Sequence, residues 1–169
     1  MMAENEHKED SGTGVIPWNL TRWASDRVLV RLVLDSVQTI RPTAVRSFAP
    51  AGTNPQMMLT LLSYCYAVGI YGSQDIAWAA RHNPTVRYIC AHNYPDWQII
   101  RWFRRRYRQQ IKDCLASVIK QAWALKFDEA ETDYGGYGWF EADLSEEIRT
   151  MVEAKLEVAV MMDRVAVEG

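Results

Sequence analysis

From Trp97 to Leu125 the chain contains neither glycine nor proline, and Asp96 just ahead of this stretch is a good N-cap. The pattern predicts one helix of about eight turns. At about 100° per residue, Ile100, Phe103, Tyr107, Ile111, Cys114 and Val118 fall within an arc of roughly 80°, the stripe of a core-facing helix. Arg101, Arg105, Arg108 and Lys112 fall within a second arc of roughly 60°, displaced by about 110° from the first. One face packs, and the other is free to meet phosphate.

Such a helix needs others to pack on, and the chain supplies them. Between Thr21 and Ile40 the apolar residues Trp23, Val28, Leu29, Leu32, Val33, Val37 and Ile40 recur at three- and four-residue steps, and Pro42 ends the pattern. Pro50 to Thr53 reads as a loop. Asn54 as N-cap and Pro55 at the first helical position then open a second helix to about Val68. Gly69 and Gly72 flank a turn, Ser73 caps a third helix from Gln74 to about His82, and a short helix over Thr85–Ala91 follows Asn83-Pro84. His92 to Pro95 forms a turn before the long helix. After the flexible Tyr134–Gly138 stretch, Asp143 and Glu146 form a capping-box pair opening a last helix, with Ile148, Val152, Leu156 and Ala159 on its apolar face. No segment shows hairpin alternation or an internal repeat. The expected fold is all-α: a compact helical domain with a helix-turn-helix-like arrangement and a C-terminal amphipathic helix. The divisions are a disordered acidic N-terminus (1–16), a helical domain (17–126), an acidic Gly/Tyr linker (127–142) and an acidic amphipathic helix (143–169).

Charge is partitioned along these divisions. The net charge of −2 conceals −3 over residues 1–20, +10 over residues 21–126 and −9 over residues 127–169. A basic core bracketed by acidic ends points to a polyanion partner, with the acidic tail as its intramolecular competitor. The 169 residues, 49% of them apolar, suit one domain with a short appendage and exclude a large multidomain enzyme. The polar opening and the absence of a long uncharged apolar run indicate neither signal peptide nor membrane span, and a cytoplasmic, nucleoid-associated setting is expected. Cys65, Cys90 and Cys114 are too widely spaced for paired zinc ligands and read as buried reduced thiols. Cys90 and His92 lack a second close ligand pair, so neither metal nor cofactor is expected.

The run Arg101-Trp102-Phe103-Arg104-Arg105-Arg106-Tyr107-Arg108 interleaves guanidinium groups with aromatics on a helix that follows a short helix and a turn. Helix-turn-helix proteins use this disposition: the first polar residues of a helix reach base edges, and cations further along neutralise phosphates. A solvated basic face on a structural helix is the plain alternative, and unpaired RNA suits the same residue types. Trp97 and Trp102, in the first turns, are placed to pack on a sugar–phosphate backbone, although most of the seven tryptophans belong to helix contacts. No nucleophile elbow, HExxH or paired His base is present, so an enzyme is not expected.

Asn54-Pro55-xx-Met58-Leu59-xx-Leu62-xx-Tyr66-xx-Gly69, Ser73-xx-Ile76-xx-Ala79 and Pro95-Asp96-xxx-Ile100-xx-Phe103-Arg104-Arg105 resemble the N-terminal DNA-binding domain of bacterial insertion-sequence transposases of the InsH type. The resemblance spans Trp18 to Trp123. It implies an all-helical module that recognises terminal inverted repeats in double-stranded DNA, ahead of an RNase H-like domain carrying an Asp-Asp-Glu triad. Gln74 and Ile99 depart from residues common in the family, which implies a different base preference. Residues 127–169 are too few for an RNase H-like sheet, so nuclease activity is not carried over.

The resulting expectation is a DNA-binding protein acting by occupancy, as a regulator, repressor or targeting subunit of transposition. Gln98, Arg101 and Trp97 face the major groove, Arg104, Arg105, Arg108 and Lys112 meet phosphates, and Ser73 and Gln74 contact the neighbouring backbone. The alternative is a helical protein–protein interaction module whose C-terminal helix mediates assembly. The face of Ile148, Val152, Leu156 and Ala159 suits the main domain, a second copy or another protein, and is assigned to oligomerisation as a homodimer.

Overall fold

The computed structural model describes residues 16–40, 54–127 and 140–168. Among the described residues the chain is all-helical, with a 3-10 turn at Leu20–Arg22 followed by α1 (Asp26–Thr39), α2 (Pro55–Val68), α3 (Ser73–His82), α4 (Pro84–Cys90), α5 (Trp97–Arg106), α6 (Arg108–Phe127) and α7 (Phe140–Glu168). The expected acidic N-terminus, the Pro42 stop, the Pro50–Thr53 loop and the Gly/Tyr linker lie outside the described residues.

Local chemistry sets most boundaries. The Asn54 carboxamide oxygen accepts from the Gln56 and Met57 N–H groups, and Asn83 does the same for Thr85 and Val86, each with proline in the first turn. Replacing Asn54 by Ala is expected to cost about 1 kcal/mol in a urea titration, whereas Asn54→Gly should cost a few tenths. α2 ends on Gly69 at φ 89°, a conformation glycine adopts without strain.

Three predicted helices differ from the expected pattern. The predicted helix from Thr21 begins only at Asp26, because Asn19 caps the 3-10 turn and Ser25 caps α1 proper. The long helix divides at Tyr107 (φ −116°, ψ 32°), with no glycine or proline to announce it. The Tyr107 ring is buried against Phe103, 4.6 Å between centroids, and beside Trp102, so packing outweighs helical continuity there. α7 starts at Phe140 rather than Asp143.

α1, α2 and α6 pack around the centre of the core, α3 and α4 pack together beside α2 and α5, and α7 lies along α6 and α3. The predicted stripe, Ile100 through Val118, is buried throughout. Ser36 of α1 bonds Ser117 and Gln121 of α6, and Trp23, Trp123 and Phe127 form an edge-on aromatic cluster where α6 ends. A cooperative helical body therefore holds α5 at one side, with α7 across it.

Candidate nucleic-acid interface

Asp96 caps α5 by accepting from the Ile99 N–H at 2.9 Å, which fixes where the basic residues begin. Because the helix breaks at Tyr107, Arg101 and Arg105 lie on α5 while Arg108 and Lys112 lie on α6, and the four do not form one straight stripe. Gln98, Arg105 and Arg106 are exposed. The Arg101 guanidinium lies over the Trp97 ring at 5.5 Å, and that of Arg106 over Tyr107 at 5.5 Å.

Across this region α7 places two acids. One Asp163 carboxylate oxygen accepts from both the N–H of Ser73, at 2.8 Å, and its hydroxyl, at 2.7 Å. The other receives the Arg104 Nη2, with the Arg101 Nε 3.5 Å away. Asp163 thus supplies the cap that α3 lacks, since its N-cap residue Gly72 has no side chain to offer. A Cβ at Gly72 would meet Asp75 Oδ2 at 2.7 Å, so a side chain there would displace the Asp75 carboxylate, whereas Met162 of α7, at 3.7 Å, would remain in ordinary contact. Burial alone would push the Asp163 carboxyl up, but the Ser73 N–H, Arg104 and the Ser73 hydroxyl together hold it below the ordinary carboxylate value. About 15 Å along the helix, ten residues earlier, Glu153 receives Lys112 and lies 3.4 Å from Arg108. The Lys112 hydrogen bond, ahead of the charges of Lys112 and Arg108, lowers the Glu153 carboxyl.

Between them stands Lys155, fully buried. Its ammonium donates to the carbonyl oxygens of Trp18 and Tyr66 and to the Tyr71 hydroxyl, and lies 5.3 Å from the Trp18 ring centre. Tyr66 is in the last turn of α2, so Lys155 caps that helix end as Asp163 caps the start of α3. Burial pushes the amine down to about 8.

The expected contact residues divide accordingly. Gln74, Gln98 and Arg105 are exposed, and Trp97, Arg101, Arg108 and Lys112 are partly covered, the last three beside α7 acids. Ser73 and Arg104, expected at the surface, are 1% and 3% exposed, because Asp163 draws both inside. The oligomerisation assignment also needs correction. Ile148, Val152, Leu156 and Ala159 are at most 5% exposed within this chain, so their apolar face is consumed by its own core and is not presented to a second copy. Sequence reasoning missed Lys155 and Asp163, although a signal was present: both continue the three- and four-residue steps of that apolar face, where a charge needs a partner.

Burial raises all three thiols, Cys90 and Cys114 to about 11 and Cys65 further, so none is a thiolate at neutral pH. Among the described residues no group of three His, Cys, Asp or Glu is placed to hold a metal ion, and no helix is long and apolar enough to cross a membrane.

Residues 24–106 match the family described as Transposase domain (DUF772). That span, just under half of the chain, runs from the residue before the α1 cap to the last residue of α5 and is similar to that transposase domain. Neither the curated proteins nor the solved structures gave a match.

Proposed function

We propose that this is a DNA-binding protein associated with transposition, which acts by occupying duplex DNA and has no nuclease activity. The observation that carries the reading is that the transposase-related span ends on α5, where Gln98, Arg105 and Arg106 stand exposed and Arg101 lies over Trp97. α4, the Ala91–Pro95 turn and α5 have the order of a helix-turn-helix, with the first polar residues of α5 facing base edges and the cations that follow meeting phosphates. By resemblance to the InsH-type end-recognition domain, the preferred sites are terminal inverted repeats. The exposed α3 residues Gln74, Trp78 and Arg81 extend the same reading to the neighbouring backbone.

Fluorescence polarisation with random duplex and with fragments flanking the protein's own gene, at several salt concentrations, tests this. Contact with four or five phosphates gives a log–log salt slope of about −4. Arg105→Ala with Arg106→Ala should weaken binding about tenfold and flatten the slope. A slope near zero in the unmodified protein rejects the proposal.

One observation favours a second reading. Met161, Met162 and Val165 are 58%, 42% and 67% exposed at the end of α7, an apolar surface suited to another protein. Binding to partner protein without any duplex affinity would put this interaction module first.

A further inference from the structure

We propose that Asp163 occupies a built oxyanion site, and that α7 is an internal phosphate mimic which duplex DNA displaces. The proposal rests on the DNA-binding reading and adds both the anion site and its regulation. The site has four donors from two helices: the Ser73 N–H at the start of α3, the Ser73 hydroxyl, Arg104 and Arg101. A helix N-terminus joined by two guanidinium groups is a phosphate-binding arrangement, and the carboxylate is a smaller anion in the same place. Arg104 points to a larger one. It is 3% exposed, and its Nε has no acceptor among the described residues, a donor that a carboxylate bound to Nη2 leaves unused.

Glu153 repeats the substitution on α6, where Arg108 and Lys112 are the cations a second phosphate would need. The two acids thus engage five of the residues that sequence reasoning assigns to DNA, Ser73, Arg101, Arg104, Arg108 and Lys112. Their exposures set an order of release. Glu153 is 39% exposed and screened by salt, so it parts first; Asp163 is enclosed and leaves only as α7 lifts. Two defects lower the cost of lifting α7 off the core that its apolar face enters: the Lys155 ammonium is buried against neutral partners, and the Arg104 Nε is left unused.

The test uses the full chain and a fluorescent duplex, with Glu153→Gln, Asp163→Asn and, as a control of equal charge change, Glu157→Gln. Hydrogen exchange of α7 is followed with and without DNA. Glu153→Gln should bind about fivefold more tightly than the unmodified protein and keep its fold. Asp163→Asn should gain at least about tenfold, with Glu157→Gln nearly unchanged. On saturation with duplex, amides of residues 148–163 should lose protection. If the duplex binds but α7 stays protected and neither variant gains affinity over Glu157→Gln, the displacement is wrong while the DNA reading stands. If no form binds duplex, the DNA reading fails and the displacement with it.

Discussion

Asp163→Ala is expected to destabilise the folded chain by about 4 kcal/mol, the largest effect of any single change proposed for this protein. The carboxylate is 3% exposed and meets three groups that have been taken out of water with it: Arg104, the Ser73 N–H and the Ser73 hydroxyl. Alanine leaves a buried guanidinium without its counter-charge and the first N–H of α3 without an acceptor, and these desolvation costs add. Urea unfolding followed by tryptophan fluorescence reads the global loss, while hydrogen exchange separates it from a local opening of α7. Asp163→Leu combined with Arg104→Met should recover much of the loss, because the apolar pair removes the charge that alanine strands. A cost below about 1 kcal/mol for Asp163→Ala would show that the pair contributes little. Because the carboxyl is held below its ordinary value, its contribution is present in full above about pH 4 and is lost as pH falls through the native value.

Lys155 gives the second large effect, with the same sense in pH but in the alkaline range. Burial takes its amine from the usual 10.5 to about 8. Below pH 8 both folded and unfolded chains hold the proton, and the cost of burying the charge is present in full. Between the two values the folded chain releases its proton first, the unfolded state binds more protons, and stability rises with pH. The contribution of Lys155 alone amounts to about 3 kcal/mol over the window. The three buried thiols oppose it from about pH 9, and Tyr66 and Tyr71, both raised to about 12 by burial, above pH 10, because the unfolded groups ionise first, so the contribution of Lys155 is read as the difference between the profiles of the unmodified protein and Lys155→Met. Lys155→Met should show no such rise. Parallel pH profiles for the two proteins would exclude Lys155 as its source.

The parts of the fold that were legible are those decided within a few residues. Asn54-Pro55 and Asn83-Pro84 name the starts of α2 and α4, Asp96 that of α5, and the 3.6-residue stripe from Ile100 to Val118 identifies the buried face. The break at Tyr107 was not legible, because its cause is the fit of one ring against Phe103 and Trp102. Nor was the destination of α7. Its apolar face satisfied the main domain or a second copy equally well as a pattern, and only the placement of Lys155 at the end of α2 and Asp163 at the start of α3 selects the former. For the site, residue types sufficed to find the cations on α5 and α6 but not to tell which stand free, since that depends on acids far along the chain.

The short connection from α2 to α3 is finished from outside itself. Its departing carbonyl and arriving N–H groups meet partners separated from them by 89 and 90 residues. The body formed by α1 to α6 already closes over long separations, Ser36 meeting Ser117 and Gln121 across 81 and 85 residues, and α7 adds closures of 89 and 90 residues to it. During synthesis both helix ends lack these partners, and the cations of α5 and α6 lack their α7 acids, until α7 has left the ribosome. A newly made chain therefore passes through a period in which its cations are uncovered, before its own acids arrive.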